Sequence, residues 1–125
     1  MTPSGHENDN HTLRKSAVVV IPCFNAGYRL KGAVENALAQ VEHVIVVDDG
    51  STDGCMDAVA GLPVKTIVFQ KNRGKGHALI EGIRKALESE GTEVVALMDA
   101  DGQHDAAELP GLYQSFQSEK ADLLI

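Results

Sequence analysis

Four short apolar runs divide this chain: Ala17-Val-Val-Val-Ile21, His43-Val-Ile-Val-Val47, Val64 to Phe69, and Val94-Val-Ala-Leu-Met98. Runs of this length, apolar at nearly every position, are the pattern of strands buried on both faces of a parallel sheet. Between them the period changes. Leu30, Val34, Ala37, Leu38 and Val41 recur at three- and four-residue spacing, and so do Leu79, Ile80, Ile83, Ala86 and Leu87. Strands alternating with helices predict an α/β fold, a mostly parallel sheet with right-handed crossovers and helices on both faces. Pro22 is expected to stop the first strand, since it cannot donate to a ladder. Ser51, Thr52 or Asp53 can cap a short helix ending near Gly61, and Gly91 is expected to close the helix that starts near His77. A last helix around Leu109, Leu112, Tyr113 and Phe116 and the beginning of a fifth strand at Asp122–Ile125 complete the order. Residues 1–16, polar and with little to bury, read as a disordered lead-in to a single unit over residues 17–125.

This topology puts the loops after successive strands on one sheet edge, the carboxyl edge where α/β folds bind ligands. The loops there are Pro22–Gly27, Asp48–Asp53, Arg73–His77 and Asp99–Asp105. Asp99 and Asp101 follow an apolar run directly, with the amide of Gln103 close behind. Hard oxygen donors so placed suit a divalent cation bound to substrate phosphates. A lone Asp-x-Asp is also a common polar turn capping the next helix; its company makes the difference here. Lys75 and backbone N–H groups at a helix start could take the phosphates. Asp48 or Asp49 could accept from N–H donors of a base or from ribose hydroxyls. Arg73-Gly-Lys-Gly76 is neither a Walker loop nor the Gly-x-Gly-x-x-Gly of dinucleotide sites. Arg73 reads as a solvated basic edge, and His77 and His104 as surface residues or supports.

Charge narrows the partners. Eleven basic side chains against eighteen acidic ones leave a formal charge of −7, which disfavours nucleic acid. With no Trp and five aromatic residues, stacking platforms for bases in a strand are not expected either. Cys23 and Cys55 have no metal-finger spacing, and a chain so poor in cysteine reads as one of a reducing, cytoplasmic compartment, both thiols being expected as small buried residues. No apolar run approaches the roughly 18 residues of a membrane span.

Taken in order, Val19-Val-Ile-Pro-Cys-Phe-Asn25, Val46-Val-Asp-Asp-Gly-Ser-Thr-Asp53, Asn72-Arg-Gly-Lys-Gly76 and Asp99-Ala-Asp-Gly-Gln-His104 resemble the motifs of glycosyltransferase family 2. The likeness is strongest to its polyprenyl-phosphate branch, related to dolichyl-phosphate mannosyltransferases, and spans residues 17–125. It implies a GT-A fold, whose nucleotide-binding half is Rossmann-like, a nucleotide-diphosphate sugar donor, and Mg²⁺ or Mn²⁺. By the resemblance, Asp101 binds the metal with help from Asp99 and Gln103, and Asp49 contacts base or ribose beside Asp48. Pro22, Phe24 and Asn25 line the nucleotide site and Lys75 faces the donor, with Asp99 near it. Family members often have Tyr and Glu where this chain has Phe24 and Ala26. Ile125 falls before the segments that, in the family, build the acceptor site and carry the catalytic base. The chain is therefore expected to be a truncated, donor-binding half, inactive alone, with an open sheet edge that favours self-association. In the whole enzyme the reaction would be an inverting transfer, to an acceptor such as a membrane lipid phosphate, with the protein peripheral at the membrane.

Two other readings share some of these features. A sugar-1-phosphate nucleotidyltransferase also has a parallel sheet, acidic loops and a metal, but carries a long Gly- and Arg-rich loop after its first strand, which Cys23 to Tyr28 does not supply. A phospho-acceptor receiver domain has the length and an acidic strand end, but leaves Asp99-Ala-Asp101-Gly-Gln103 unexplained.

Overall fold

The computed structural model of the protein describes residues 14–101. The expected final helix and fifth strand lie outside that range, as do Gln103, His104 and the lead-in through residue 13. Four strands form one parallel sheet: β1 (Ala17–Cys23), β2 (His43–Asp48), β3 (Lys65–Val68) and β4 (Val94–Leu97), in the order β3-β2-β1-β4. Two helices, α1 (Arg29–Leu38) and α2 (Lys75–Leu87), and a short 3-10 turn at Cys55–Val59 connect them. Arg14–Ser16, assigned by sequence to the lead-in, are helical and joined to the sheet ends. The Glu42 N–H donates to the Arg14 carbonyl, and the Glu93 N–H to that of Ser16.

β1 lies between β2 and β4 and is buried along its whole length. Alternation sends its side chains to two opposite cores. Val19 and Ile21, with Val44 and Val46 of β2, pack against Leu30, Val34 and Ala37 of α1. Val18 and Val20, with Ile45 and Val47, pack against Ala78 and Ala86 of α2. Each fully buried Val or Leu contributes about 1.5–3 kcal/mol relative to exposure, so two layers on one sheet hold this small unit together.

Three expectations are corrected. Pro22 does not end β1; it sits inside the strand, opposite Val47. Backbone groups two residues apart in a strand point the same way, and the Val20 carbonyl accepts from Met98 N–H on the β4 side. Pro22 therefore turns its missing donor toward β4, past the last paired residue, Leu97. No ladder bond is lost. β3 is shorter than Val64–Phe69 and mostly exposed, as suits an edge strand. Finally, α2 does not bury Ile80 or Leu87, which are half or more exposed. The seam that meets the sheet is Ala78, Gly82 and Ala86. A Cβ on Gly82 would collide with the Val20 side chain and come within 3.1 Å of Val47 Cγ2. The helix is seated close because glycine is there.

Candidate functional site

The carboxyl ends of β1, β2 and β4 and the start of α2 enclose an open cleft of about 540 Å³. Its walls bring together Pro22, Phe24 and Asn25 from the first loop, Asp49 from the second, Lys75 from the third and Asp99 and Asp101 from the fourth. The strand ends deliver all four loops to one edge, as the alternation of runs predicts.

The first two loops are joined to each other. The Asn25 N–H donates to Ser51 Oγ at 2.8 Å, the Thr52 N–H donates to Asn25 Oδ1 at 2.8 Å, and the Gly27 N–H donates to Asp53 Oδ2 at 2.9 Å. Asn25 holds this position in the left-handed region, φ +51°, which asparagine tolerates better than most residues. Sequence reading did not assign Ser51, Thr52 and Asp53 this clamping role. Asp53 also accepts from the Cys55 N–H at 3.0 Å. That backbone donor foremost, with Gly27 as a lesser one, holds its carboxyl below the usual range.

Asp49 organises the third loop. Its buried carboxylate accepts from Arg73 N–H at 2.6 Å, Gly74 N–H at 3.0 Å and Asn72 Nδ2 at 3.1 Å. An ionised carboxylate has about four acceptor sites, so three are taken by the protein while Asp49 still lines the cleft. The loop comes so close that a Cβ on Gly50, at φ +80°, would stand 2.5 Å from the Asn72 backbone nitrogen. Arg73 and His77 turn to Phe69, the guanidinium 5.2 Å from the ring centroid and the imidazole edge-on at 6.3 Å. Among the described lining residues, Lys75 and Arg29 bring positive charge to the cleft.

Lys75 is the first residue of α2, and its Nζ donates to Asp99 Oδ1 at 2.5 Å. Asp99 follows β4 by two residues and Asp101 stands just beyond, exposed on the same wall. These two carboxylates from one loop are a hard oxygen donor set that fits a Mg²⁺ or Mn²⁺ ion. Phe24 is half exposed and lines the cleft. Tyr28, 85% exposed, and Arg29, 5.9 Å from its ring, form a lip that sequence reading missed. Their adjacency after Gly27 is the signal that was available.

Asp48 stands apart from the others. Among the described residues it does not line the cleft. Its carboxylate is buried, and Oδ1 accepts from the Ser51 N–H at 2.9 Å, closing the turn after β2. Cys23 and Cys55 are beside it, both buried and free. Burial foremost, then Cys55 and Asp48, pushes the Cys23 thiol well above the ordinary thiol range. Both cysteines are thus the small buried residues that were expected.

The chain is similar to known proteins in both sequence and fold. Residues 18–125 match the model of glycosyl transferase family 2. A dolichol-phosphate mannosyltransferase of Mycosarcoma maydis is 30% identical over 87% of this chain and 41% of its own length. A dodecaprenyl-phosphate galacturonate synthase of Rhizobium johnstonii is 30% identical over 86% of this chain and 34% of its own length. Glucosyl-3-phosphoglycerate synthase of Mycobacterium tuberculosis, solved with Mn²⁺, UDP and glucosyl-3-phosphoglycerate, superposes with a TM-score of 0.69 at 19% identity, over 93% of this chain and 45% of that one. The chain thus spans less than half the length of each of these relatives, and the solved neighbour shares its GT-A fold.

Proposed function

Because this chain belongs to glycosyl transferase family 2, we propose that it is the donor-binding part of an enzyme that moves a sugar from a nucleotide diphosphate to an acceptor, with inversion. The observation that carries this reading is the meeting of Phe24, Asp49, Lys75, Asp99 and Asp101 around one cleft. The acceptor proposed is a polyprenyl phosphate at a membrane surface, reached from the cytoplasmic side. The relatives named for lipid-phosphate substrates support that class. No helix of the described residues is long and apolar enough to cross a membrane.

In this reading each residue has a physical task. Phe24 offers a ring face for the base, and Pro22 and Asn25 shape the wall beside it. Asp49 keeps its remaining acceptor capacity for a base or ribose donor while it holds the third loop in place. Lys75 supplies positive charge for the diphosphate. Asp99 and Asp101 would hold Mg²⁺ or Mn²⁺, with Gln103, outside the described residues, as a further oxygen donor. When bound, the ion supplies Lewis-acid neutralisation of charge on the departing diphosphate. A solved neighbour with Mn²⁺ and UDP is in keeping with a divalent ion. Asp48, buried behind the second loop, acts through that loop's shape.

Calorimetric titration of UDP and GDP with and without Mg²⁺ or Mn²⁺ tests the reading. Binding is expected to need the ion, since carboxylates and diphosphate repel without it. Asp101→Asn is expected to weaken the ion-dependent part by about 1–3 kcal/mol, the range of linked sites. Ion-independent binding that Asp101→Asn leaves unchanged would refute it.

A further inference from the structure

Behind the second loop lies a buried cluster of which only Cys23 reaches the wall of the cleft. We infer that Cys23, Asp48 and Cys55 form a second cation site, built for a thiophilic divalent ion, with Zn²⁺ its natural occupant. One ligand atom from each, two thiol sulfurs and a carboxylate oxygen, lie within 4.8 Å of one another, and all three residues are buried. Zinc bonds sulfur at about 2.3 Å and oxygen at about 2.0–2.2 Å in tetrahedral geometry, so its ligand atoms stand roughly 3.5–3.8 Å apart.

The chemistry of the set separates it from the cleft. Asp99 and Asp101 are hard oxygen donors; two sulfurs with one carboxylate select zinc over magnesium or manganese. Binding a divalent ion would release the protons of both thiols, so that two thiolates and a carboxylate face it. Met56 Sδ lies 4.0 Å from Cys23 Sγ, and a fourth ligand to zinc can be a water molecule. The ligands are also held from behind. Ser51 N–H donates to Asp48 Oδ1 at 2.9 Å, and Asp53 Oδ1 accepts from Cys55 N–H at 3.0 Å. Supports of this kind orient ligands around a metal. The ion would tie the end of β1 to the 3-10 turn, across the same two loops that Asn25 clamps from the solvent side.

Cobalt is the probe, because it takes zinc's geometry and reports sulfur ligation in its spectrum. The chain, kept reduced with a phosphine, is titrated with Co²⁺. The expected result is an intense near-ultraviolet sulfur-to-cobalt band that saturates at one equivalent and is bleached by Zn²⁺. Asp101→Asn should keep the band, and Cys55→Ser should lose it. Histidines give no such band, so metal caught by His6 or His11 is not mistaken for the site. A second measurement needs no variant: Zn²⁺ should slow alkylation of Cys23 and Cys55 together. Absence of the band, its survival in Cys55→Ser, or alkylation rates unmoved by Zn²⁺ would each overturn the inference.

Discussion

The carboxylate of Asp49 receives the backbone N–H of Arg73 at 2.6 Å, so an acid after one strand fixes the path of a loop that follows the next. With Gly74 N–H and Asn72 Nδ2 on its other oxygen, Asp49 joins β2 to the start of α2. Asp49→Asn replaces one acceptor oxygen with a donor that faces an N–H. A buried donor left unsatisfied costs about 1–3 kcal/mol, and the loss is expected in urea unfolding. Because the loop carries Lys75, nucleoside diphosphate affinity should fall in the same variant.

Gly50 tests the close approach of the same two loops from the other side. Alanine there needs a left-handed backbone and places a methyl against the Lys71–Asn72 backbone, which cannot rotate away. Strain of this kind costs about 1–3 kcal/mol. Gly50→Ala should lower the unfolding midpoint, whereas Gly61→Ala, which meets nothing within 4 Å, should not.

Lys75 should matter for phosphate and not for base. Its side chain is 62% exposed, so Lys75→Met is expected to cost only about 1 kcal/mol in nucleoside diphosphate binding, the upper range for exposed charges. Binding of the unphosphorylated nucleoside should be unchanged. Equal losses for both ligands would remove Lys75 from the phosphate role.

Asp53 carries a pH signature. Its folded carboxyl is held below the ordinary range by Cys55 and Gly27 N–H groups. The stability it contributes is fully present above the ordinary carboxylate range and is lost as pH falls through its lower folded value. Asp53→Asn should flatten the acid limb of a stability–pH curve and leave the neutral region with a uniform offset. An unaltered acid limb would show that the carboxylate is not coupled to folding.

Cys23 has the opposite sign at the alkaline end. Burial favours its neutral thiol in the folded chain, so above the ordinary thiol range the unfolded state gains by ionising and stability declines as pH rises. Cys23→Ala should lessen that decline, as measured by denaturant unfolding across the alkaline range.

Much of this arrangement was legible in the residues. Continuous apolar runs marked β1, β2 and β4 because strands buried on both faces leave no polar positions. Asp99 and Asp101 could be placed at the carboxyl edge because the run before them ends so sharply. Pro22 was misread because its lack of a donor matters only where a neighbour needs one, and β4 has already ended there. The buried face of α2 was misread for a different reason. Counting apolar side chains favours Ile80 and Leu87, while the seam is made by a residue without one, Gly82. The clamp of Asn25 on Ser51 and Thr52 joins residues 26 and 27 positions apart. No local pattern encodes such a pair.

The seam under α2 makes that helix a lever. Gly82 lies seven residues past Lys75, roughly 10 Å along the axis at 1.5 Å per residue. Whatever lifts the middle of the helix off Val20 and Val47 pivots its first turn, and the ammonium of Lys75 swings with it. A methyl added in the core, touching no ligand, would then be felt at the cleft as a misplaced charge.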